Sequence, residues 1–380
     1  MTTASGYPLL QALSQVADFR KSRGRRHPLV GILALGCAAA LCGASSLTAV
    51  SQWGCDHNHQ LLAKLGLTHF PGPSPATLCR VFSQVDVAAL EQALSEWWRA
   101  WLPALGPLAL DGKTERGSRR GSQAAQQLLA AFAAQVRVVL AQRAVNNSDE
   151  IGTALTLLEG LDLTGWIVTG DAKLTQKAIV DKIMAQGGDY VLTVKDNQPT
   201  LRDDIATLFS EPAVVAETIT TTRRTDLHGS RIEVRTLQAS SALTAEYCGW
   251  AGLQQVFRVE RHRIDKRTRT HTVTVGFGIT SLPPARADAQ RLATLLRGHW
   301  AIENRLHWIR DVDFGEDASR IHSGKAPQVM AIFRNIAIGF LGVLGYDSPI
   351  QGLRHFAWHS ADAVKLVIER PKLSAWAKMK

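Results

Sequence analysis

Cysteine is scarce in this sequence of 380 residues, and its five cysteines show no paired spacing. An odd count without paired spacing argues against a disulfide framework and favours a reducing compartment. The run Cys55-Asp56-His57-Asn58-His59 is compatible with a metal, but no second pair of Cys or His residues completes a site at zinc-like spacing. We therefore expect a polar loop after a helix at this position.

Charged residues are absent from Leu29 to Gly54, and a basic run, RKSRGRRH, precedes this segment. The pattern permits a membrane span with a positive flank. However, the segment is rich in Ala, Gly, Ser and Cys, has few large aliphatic residues, and starts too deep in the chain for a signal peptide. We expect a pair of buried helices here and no membrane partner.

Acidic residues are outnumbered by basic ones, with 33 Asp and Glu against 43 Lys and Arg, which gives a net charge of +10. This excess favours a polyanion such as nucleic acid as the partner, although a merely basic globular protein is the alternative. The chain has no internal repeat and no low-complexity segment, and its length is sufficient for two or three domains.

The pattern of apolar residues predicts five segments. Helical spacing comes first, then strands alternate with helices, which indicates a mixed α/β sheet. A run of β-rich stretches follows and indicates an antiparallel insertion. The predicted segments are a helical domain at 1–104, the first part of an α/β core at 105–199, a basic β insertion at 200–287, the second part of the core at 288–345 and a tail at 346–380.

Several local signals place elements within these segments. Ser74 before Pro75 predicts a helix N-cap with proline at the first helical position. Leu108–Leu110 is predicted to be a short strand that ends at Asp111. The tryptophans of the helix expected from Val87 to Leu102 are expected to lie in a core.

Basic residues are dense in the β insertion. A solvated strand face is one interpretation, and a surface that contacts phosphates is the other. The residues are Arg223, Arg224, Arg231, Arg235, Arg258, Arg261, Arg263, Lys266, Arg267 and Arg269.

The stretch from Leu295 to Arg320 is unusually rich in reactive side chains for one helix and its exit. Residues at spacings of three and four share a helical face, and here they are His299, Trp300, Glu303, His307 and Arg310. Glu303 is predicted to lie in mid-helix among apolar neighbours, where an unpaired carboxylate is costly. We expect Glu303 to hold a cation.

Asp111 and Asp171 share a sequence context with each other. Each follows a short apolar run and precedes a small residue and a lysine. Carboxylates at strand ends point into the ligand crevice of an α/β sheet, although Asp also commonly starts turns. Together with Glu303, the two Asp residues offer hard oxygen ligands for two Mg²⁺ or Mn²⁺ ions. Such a pair of ions promotes in-line phosphoryl transfer.

The motifs around these residues resemble those of DDE transposases of bacterial insertion sequences, of the H-repeat-associated type. The resemblance spans most of the chain and is most specific around Glu303. The matching motifs are Ala17-Asp18-Phe19-Arg20 with Arg25-Arg26-His27-Pro28-Leu29, Leu110-Asp111-Gly112-Lys113, Val168-Thr169-Gly170-Asp171-Ala172, Tyr190-Val191-Leu192 with Val194-Lys195 and Asn197-Gln198-Pro199, Gly298-His299-Trp300, Ile302-Glu303-Asn304, Leu306-His307-Trp308 and Phe314-Gly315-Glu316-Asp317-Ala318.

The resemblance implies a ribonuclease-H-like catalytic core with an antiparallel β insertion and an N-terminal all-α domain that is associated with DNA binding. It implies that Asp111, Asp171 and Glu303 form the catalytic and metal-binding triad with two Mg²⁺ or Mn²⁺ ions. The implied partner is double-stranded DNA, bound by a homodimer on paired element ends in the bacterial cytoplasm, at the nucleoid. Its implied DNA-binding residues are Lys113, Lys195, Arg231, Arg235, Arg297, His299, Trp300, Asn304, His307 and Arg310.

The sequence also departs from the family pattern. Where related transposases carry Tyr, Arg and Lys around the catalytic Glu, this chain has Leu296, His299 and Arg310. The expected function is cleavage of terminal inverted repeats followed by strand transfer. Two alternatives remain, a catalytically silent DNA-binding relative and a general ribonuclease-H-like nuclease.

Overall fold

The structure is a computed structural model that describes residues 7–102, 106–119, 121–122, 124–211 and 217–369. The chain divides into two compact units, and each is built from separated parts of the sequence. The first unit comprises Met1–Pro103, Gly112–Ser148 and Ala301–Lys380, and the second comprises Ala104–Asp111 and Asp149–Trp300. The predicted domain boundary at 104 lies outside the described residues.

The elements of both units follow one another along the chain. The helices are Leu9–Leu13 (α1), Leu29–Leu41 (α2), Leu47–Asp56 (α3), His59–Lys64 (α4), Pro75–Phe82 (α5), Val87–Trp101 (α6), Glu150–Glu159 (α7), Lys177–Ala185 (α8), Pro199–Ser210 (α9), Ala245–Cys248 (α10), Ala289–His299 (α11), Trp308–Val312 (α12), Ala326–Val343 (α13), Pro349–Trp358 (α14) and Ser360–Ile368 (α15). The strands are Gly106–Glu115 (β1), Gln126–Ala133 (β2), Val138–Ala144 (β3), Trp166–Gly170 (β4), Asp189–Val194 (β5), Thr220–His228 (β6), Arg231–Ser240 (β7), Gln255–Asp265 (β8) and Thr270–Thr280 (β9).

The strands follow the order β3-β2-β1-β4-β5-β9-β8-β7-β6. The pairs β1–β4 and β4–β5 are parallel, whereas β5–β9 and the three pairs of the insertion are antiparallel. Helices precede this sheet in the chain. The mixed α/β sheet, its antiparallel insertion and the N-terminal helices confirm the predicted ribonuclease-H-like fold class.

The core of the first unit surrounds helix α13, which packs against α2, α5, α6 and strand β3. Among the described residues, α13 is long and apolar enough to cross a membrane, but 94% of it is buried within the structure. Helix α2 confirms the burial predicted for the uncharged segment, since it is buried along nearly its whole length, but α3 buries only Val50, Ser51 and Gly54, so the prediction of a second buried helix was wrong. This burial explains why α2 needs no polar face.

Two other local predictions for the first unit are confirmed. The Ser74 hydroxyl accepts a hydrogen bond from the backbone N–H of Thr77 at 3.3 Å and caps helix α5. The three tryptophans of α6 are buried, and the Trp97 indole donates to the Tyr7 carbonyl oxygen at 2.7 Å. Aromatic side chains of this size stabilise a core through the large area that they bury.

The core of the second unit lies between the sheet and helix α11. Leu292 and Leu295 of α11 pack in one apolar cluster with Leu237 and Phe257 of the insertion and with Val191 of β5. Helix α11 begins where the sequence predicted, because Asp288 accepts a hydrogen bond from the N–H of Arg291 at 2.8 Å. The apolar stripe of α11 therefore faces the sheet, and its opposite side stays polar.

Two predicted elements differ from the structure. The spacing of apolar residues from Pro8 to Phe19 fits an amphipathic helix, but α1 ends at Leu13, and Asp18 and Arg20 bind each other in the loop that follows. The strand expected at 108–110 continues to Glu115, so Asp111 lies within β1 and not at its end. The polar residues after Asp111 extend the strand because the side chains of Lys113 and Glu115 are buried in ion pairs.

We expect Gly36→Ala to destabilise the first unit. A Cβ at Gly36 would lie 2.4 Å from Cε2 of Phe333. Overpacking of this kind costs about 1–3 kcal/mol, which exceeds the gain of about 1 kcal/mol in helix propensity. Urea unfolding should show a lower midpoint for Gly36→Ala and partial recovery when Phe333→Leu is added.

The matched control is Gly298→Ala in helix α11. Among the described residues, its added Cβ would lie within 4.0 Å of Cγ of Pro107 alone, so helix propensity should raise the midpoint slightly. A midpoint for Gly36→Ala equal to that of the unmodified protein would contradict the close packing of α2 against Phe333.

Candidate active site

Asp111 and Asp171 lie on neighbouring parallel strands of the second unit. Leu110 of β1 pairs in register with Gly170 of β4, so each Asp is the next residue after that pair. Adjacent strands are about 4.8 Å apart, and residues at the same level of a parallel pair point to the same face of the sheet. The register therefore places the two Asp residues at the same level of neighbouring strands, and their role as metal ligands stays a prediction.

Hydrogen bonds to the backbone fix the orientation of the Asp171 carboxylate. Strand β4 ends at Gly170, and Oδ1 of Asp171 accepts hydrogen bonds from the N–H groups of Lys173 at 3.0 Å and Leu174 at 3.3 Å. Asp171 thus also starts a turn, which was the alternative interpretation of this residue. In the described part of the chain, Oδ2 of Asp171 accepts no hydrogen bond, so this exposed oxygen is available to a cation.

Glu303 lies in a π-helical turn in the first unit and not in the middle of a regular helix. The π turn spans Glu303–His307 and is followed directly by α12. The Glu303 side chain is 60% exposed, and its Oε2 lies 3.5 Å from Nδ1 of His307. The prediction that Glu303 is surrounded by apolar neighbours was wrong. A π turn is wider than an α-helical turn, so it rotates the residues that follow it about the helix axis. The single face predicted for residues 299–310 therefore does not form as it would in a regular helix.

His299 contacts the strand that leads to Asp171. Its Nδ1 lies 3.1 Å from Oγ1 of Thr169, within the second unit. Burial lowers the pKa of His299 below its ordinary value of 6.5, and the charge of Asp171 opposes this shift only in part. Burial therefore favours the neutral imidazole of His299. A neutral imidazole still offers a hydrogen bond.

Trp300 and Asn304, which flank Glu303 in the sequence, are both exposed to solvent. The Trp300 side chain is 58% exposed in the second unit, and the Arg261 guanidinium lies 5.7 Å from its ring centroid. This contact orients the indole and leaves much of the ring open. Asn304 is exposed in the π turn of the first unit.

Arg310 is the centre of a buried network of charges in the first unit. Its side chain is 1% exposed, and its Nε donates to both carboxylate oxygens of Glu316 at 3.0 and 2.8 Å. Its remaining nitrogens donate to Glu115 at 3.0 Å and to Gln142 at 3.3 Å. These acceptors use the hydrogen-bond donors of the buried guanidinium. Arg310 therefore stabilises the first unit, and it is not placed to make the predicted contact with DNA.

The network continues to helix α13, where Arg334 donates to Glu316 at 2.7 Å and Asn335 donates to Gln142 at 2.9 Å. Burial raises the pKa of Glu115 to about 7, although the charge of Arg310 opposes the shift. Burial alone would raise the pKa of Glu316 as well, but Arg310 and Arg334 outweigh it and lower that pKa. Glu316 is thus the main counter-ion of the two arginines.

Other predicted DNA-binding cations are also held by carboxylates. Lys113 is buried and donates to Asp311 at 2.6 Å. Arg235 and Arg297 both lie close to Asp226, at 3.6 and 3.0 Å. Two predicted cations, Lys195 and Arg231, are exposed. His307 is buried beside Glu303.

Several residues of the buried network were not predicted from the sequence to be buried or paired. Glu115 and Gln142 lie on strands and have no neighbouring charge pattern that predicts a buried partner. The one available signal was the position of Glu115, on the same side of β1 as Asp111 and Lys113, because strand residues alternate between faces. Glu316 belongs to the long motif around Glu303, but its pairing with Arg310 depends on the tertiary fold.

Comparisons with known proteins agree with these motifs. The family described as "Transposase DDE domain" matches residues 105–340, and the family described as "DDE_Tnp_1-associated" matches residues 10–98. "Putative transposase YncI" of Escherichia coli O157:H7 is 31% identical over 343 residues, which cover 88% of this chain and 87% of that protein. "H repeat-associated putative transposase YhhI" of Escherichia coli K12 is 30% identical over 346 residues, covering 88% and 90%.

A solved structure of piggyBac transposase in a synaptic complex with hairpin DNA is 10% identical to this chain. The alignment covers 99% of this chain and 85% of that chain, with a TM-score of 0.40. A likeness at this level carries no argument about the site.

We expect Arg310→Met to destabilise the first unit strongly. The change leaves the buried carboxylates of Glu115 and Glu316 without their shared cation, and breaking a buried pair in this way costs about 3–5 kcal/mol. The measurement is urea unfolding followed by circular dichroism. Arg305→Met is the matched control, since Arg305 is exposed and its loss should change stability by at most about 0.5 kcal/mol.

The same pair of variants separates the structural role of Arg310 from a role in DNA contact. A DNA contact predicts unchanged stability and weaker binding for Arg310→Met. That result would contradict the buried network as the reason for this arginine.

Proposed function

The chain belongs to the DDE transposase family, and we propose that it binds the terminal inverted repeats of its own mobile element, cuts them, and joins the freed 3′-hydroxyls to target DNA. A transposase role in general follows from the family. The cleavage and strand-transfer steps, their substrate and the residues that perform them are the proposal.

The observation that carries the proposal is the pairing of Leu110 with Gly170, which sets Asp111 and Asp171 side by side on parallel strands. Carboxylates at the same level of adjacent strands carry like charges, so a cation bound near both of them would be favoured. Membership of the family implies the use of a divalent metal ion. This pair of acids therefore supports a metal site at the level of the sheet where β4 ends.

We propose Glu303 as the third ligand. Its exposed carboxylate is free of an Arg or Lys partner in the described structure, and the π turn sets it apart from the regular helices on either side. Three carboxylates without Cys form a hard oxygen donor set, which suits Mg²⁺ or Mn²⁺ better than zinc. The residues present therefore fit the ions that the family implies.

When bound, two such ions activate the attacking oxygen and stabilise the leaving oxygen of a phosphoryl transfer. The protein's own residues would hold the DNA in place for that reaction. The exposed ring of Trp300 is suited to stacking on an unpaired base, and neutral His299 can exchange a hydrogen bond with a phosphate or sugar. Lys195 and Arg231 are exposed cations of the predicted set and are proposed as phosphate contacts.

Variants of the three carboxylates test the catalytic assignment. Asp111→Asn, Asp171→Asn and Glu303→Gln should each lower Mg²⁺-dependent nicking of DNA that flanks the gene by about a hundredfold or more, because bound metal contributes several kcal/mol to the reaction. Binding of the same DNA in a gel-shift assay should persist, since no positive charge is lost. Products are counted on denaturing gels.

The controls remove one exposed carboxylate elsewhere in the chain. Asp203→Asn and Glu246→Gln change the same charge and should leave nicking unaltered. Full cleavage by all three triad variants would disprove the metal assignment. Gel shifts without any metal-dependent product from the unmodified protein would favour the silent DNA-binding relative, and equal cleavage of unrelated DNA would favour a general nuclease.

A further inference from the structure

Half of strand β9 has an open edge. Phe277–Thr280 pair with β5 on one side, and the whole strand pairs with β8 on the other. In the part of the chain that the structure describes, no strand covers the β5 side of residues 270–276. Such an edge presents unpaired N–H and C=O groups, which readily pair with another strand.

This open edge lacks the protection that the other sheet edges have. Strand β3 lies at one end of the sheet and is covered by helices α6 and α13. Strand β6 lies at the opposite end and carries Arg223, Arg224 and Asp226, and charges of this kind disfavour edge-to-edge pairing. The open part of β9 reads Thr-His-Thr-Val-Thr-Val-Gly and has no Lys, Arg, Asp, Glu or Pro.

The same segment exposes apolar side chains. All residues from 270 to 276 are exposed, and Val273 and Val275 are 48% and 46% exposed. Val and Thr favour strands because their branched side chains pack on a pleated surface. An exposed, uncharged strand with β-branched residues is therefore a surface that gains stability when another strand covers it.

We propose that residues 270–276 pair with the same strand of a second copy of this chain, antiparallel and about a two-fold axis at Val273. An antiparallel pair centred on Val273 places Val273 opposite Val273 and Thr272 opposite Thr274. It also places Thr270 opposite Gly276. Val273 then meets Val273 and Val275 meets His271 on one face, while Thr272 meets Thr274 on the other, and such cross-strand pairs stabilise sheets.

Charge favours a second copy as the occupant. The chain carries a net charge of +10, so most of its surface repels another copy. Residues 270–276 contain no Lys, Arg, Asp or Glu, and Arg261 and Arg263 of the neighbouring strand β8 contact Glu233 on the side away from the open edge. Two-fold symmetry also requires a surface that matches itself, as this strand does.

Charges at Val273 test the proposal directly. Because Val273 lies on the proposed axis, Val273→Lys places two ammonium groups opposite each other and Val273→Glu places two carboxylates there. Each variant alone should have a dimer dissociation constant about tenfold or more above that of the unmodified protein, because like charges directly opposite destabilise a strand pair. An equal mixture of the two variants should dimerise again as a heterodimer.

Sedimentation equilibrium of the full chain over a range of concentrations measures these constants, and circular dichroism checks that each variant is folded. Leu227→Lys is the matched control, because Leu227 is also an exposed apolar residue of the insertion but lies on β6. It should dimerise as the unmodified protein does. This readout needs neither DNA nor metal, so it is independent of the catalytic proposal.

Two outcomes would overturn the proposal. The first is an unmodified protein that stays monomeric at every concentration, which would leave the edge to a different partner. The second is a dimer that both single variants retain at full strength, which would place the interface elsewhere.

Discussion

The first unit depends on the buried ion pair between Arg310 and Glu316. Glu316 alone would be costly in the interior, and so would either of the two arginines that it binds. Because these charges are paired, they join three separate parts of the chain: the end of β1 through Glu115, helix α12 through Arg310, and helix α13 through Arg334. The network therefore specifies one arrangement of these three parts, because a shift of any one of them would leave a buried charge without its partner.

This network also sets where the catalytic candidates can lie. Arg310 is seven residues after Glu303, and its anchored side chain fixes the end of the π turn in the first unit. At β1, the strand continues past Asp111 because Lys113 and Glu115 are bound by the charges of Asp311 and Arg310. These interior charges therefore fix the backbone on which Glu303 and the end of β1 lie.

The sequence was most informative where a signal is local. The Ser74 cap, the buried helix α2 and the strand end at Gly170 each depend on residues within a few positions. Predictions failed where tertiary contacts decide. No local pattern shows that Glu115 and Glu316 enclose Arg310, or that burial lowers the pKa of His299. The π turn was missed because the spacing of residues 299–310 fits a regular helix equally well. The assignment of Asp111, Asp171 and Glu303 as metal ligands remains a prediction.

The number of basic residues in the insertion is larger than the number that remain unpaired and available to attract phosphates. Glu233 contacts Arg235, Arg261 and Arg263, while Asp226 contacts Arg224, Arg235 and Arg297. Paired arginines attract phosphates less, because the carboxylate cancels much of their field. What remains is concentrated at the turns, since Arg231 pairs in register with Asp265 and so lies beside the loop of Lys266, Arg267 and Arg269. Electrostatic attraction of DNA to the insertion should therefore come chiefly from its turns, and the paired strand face chiefly supplies rigidity.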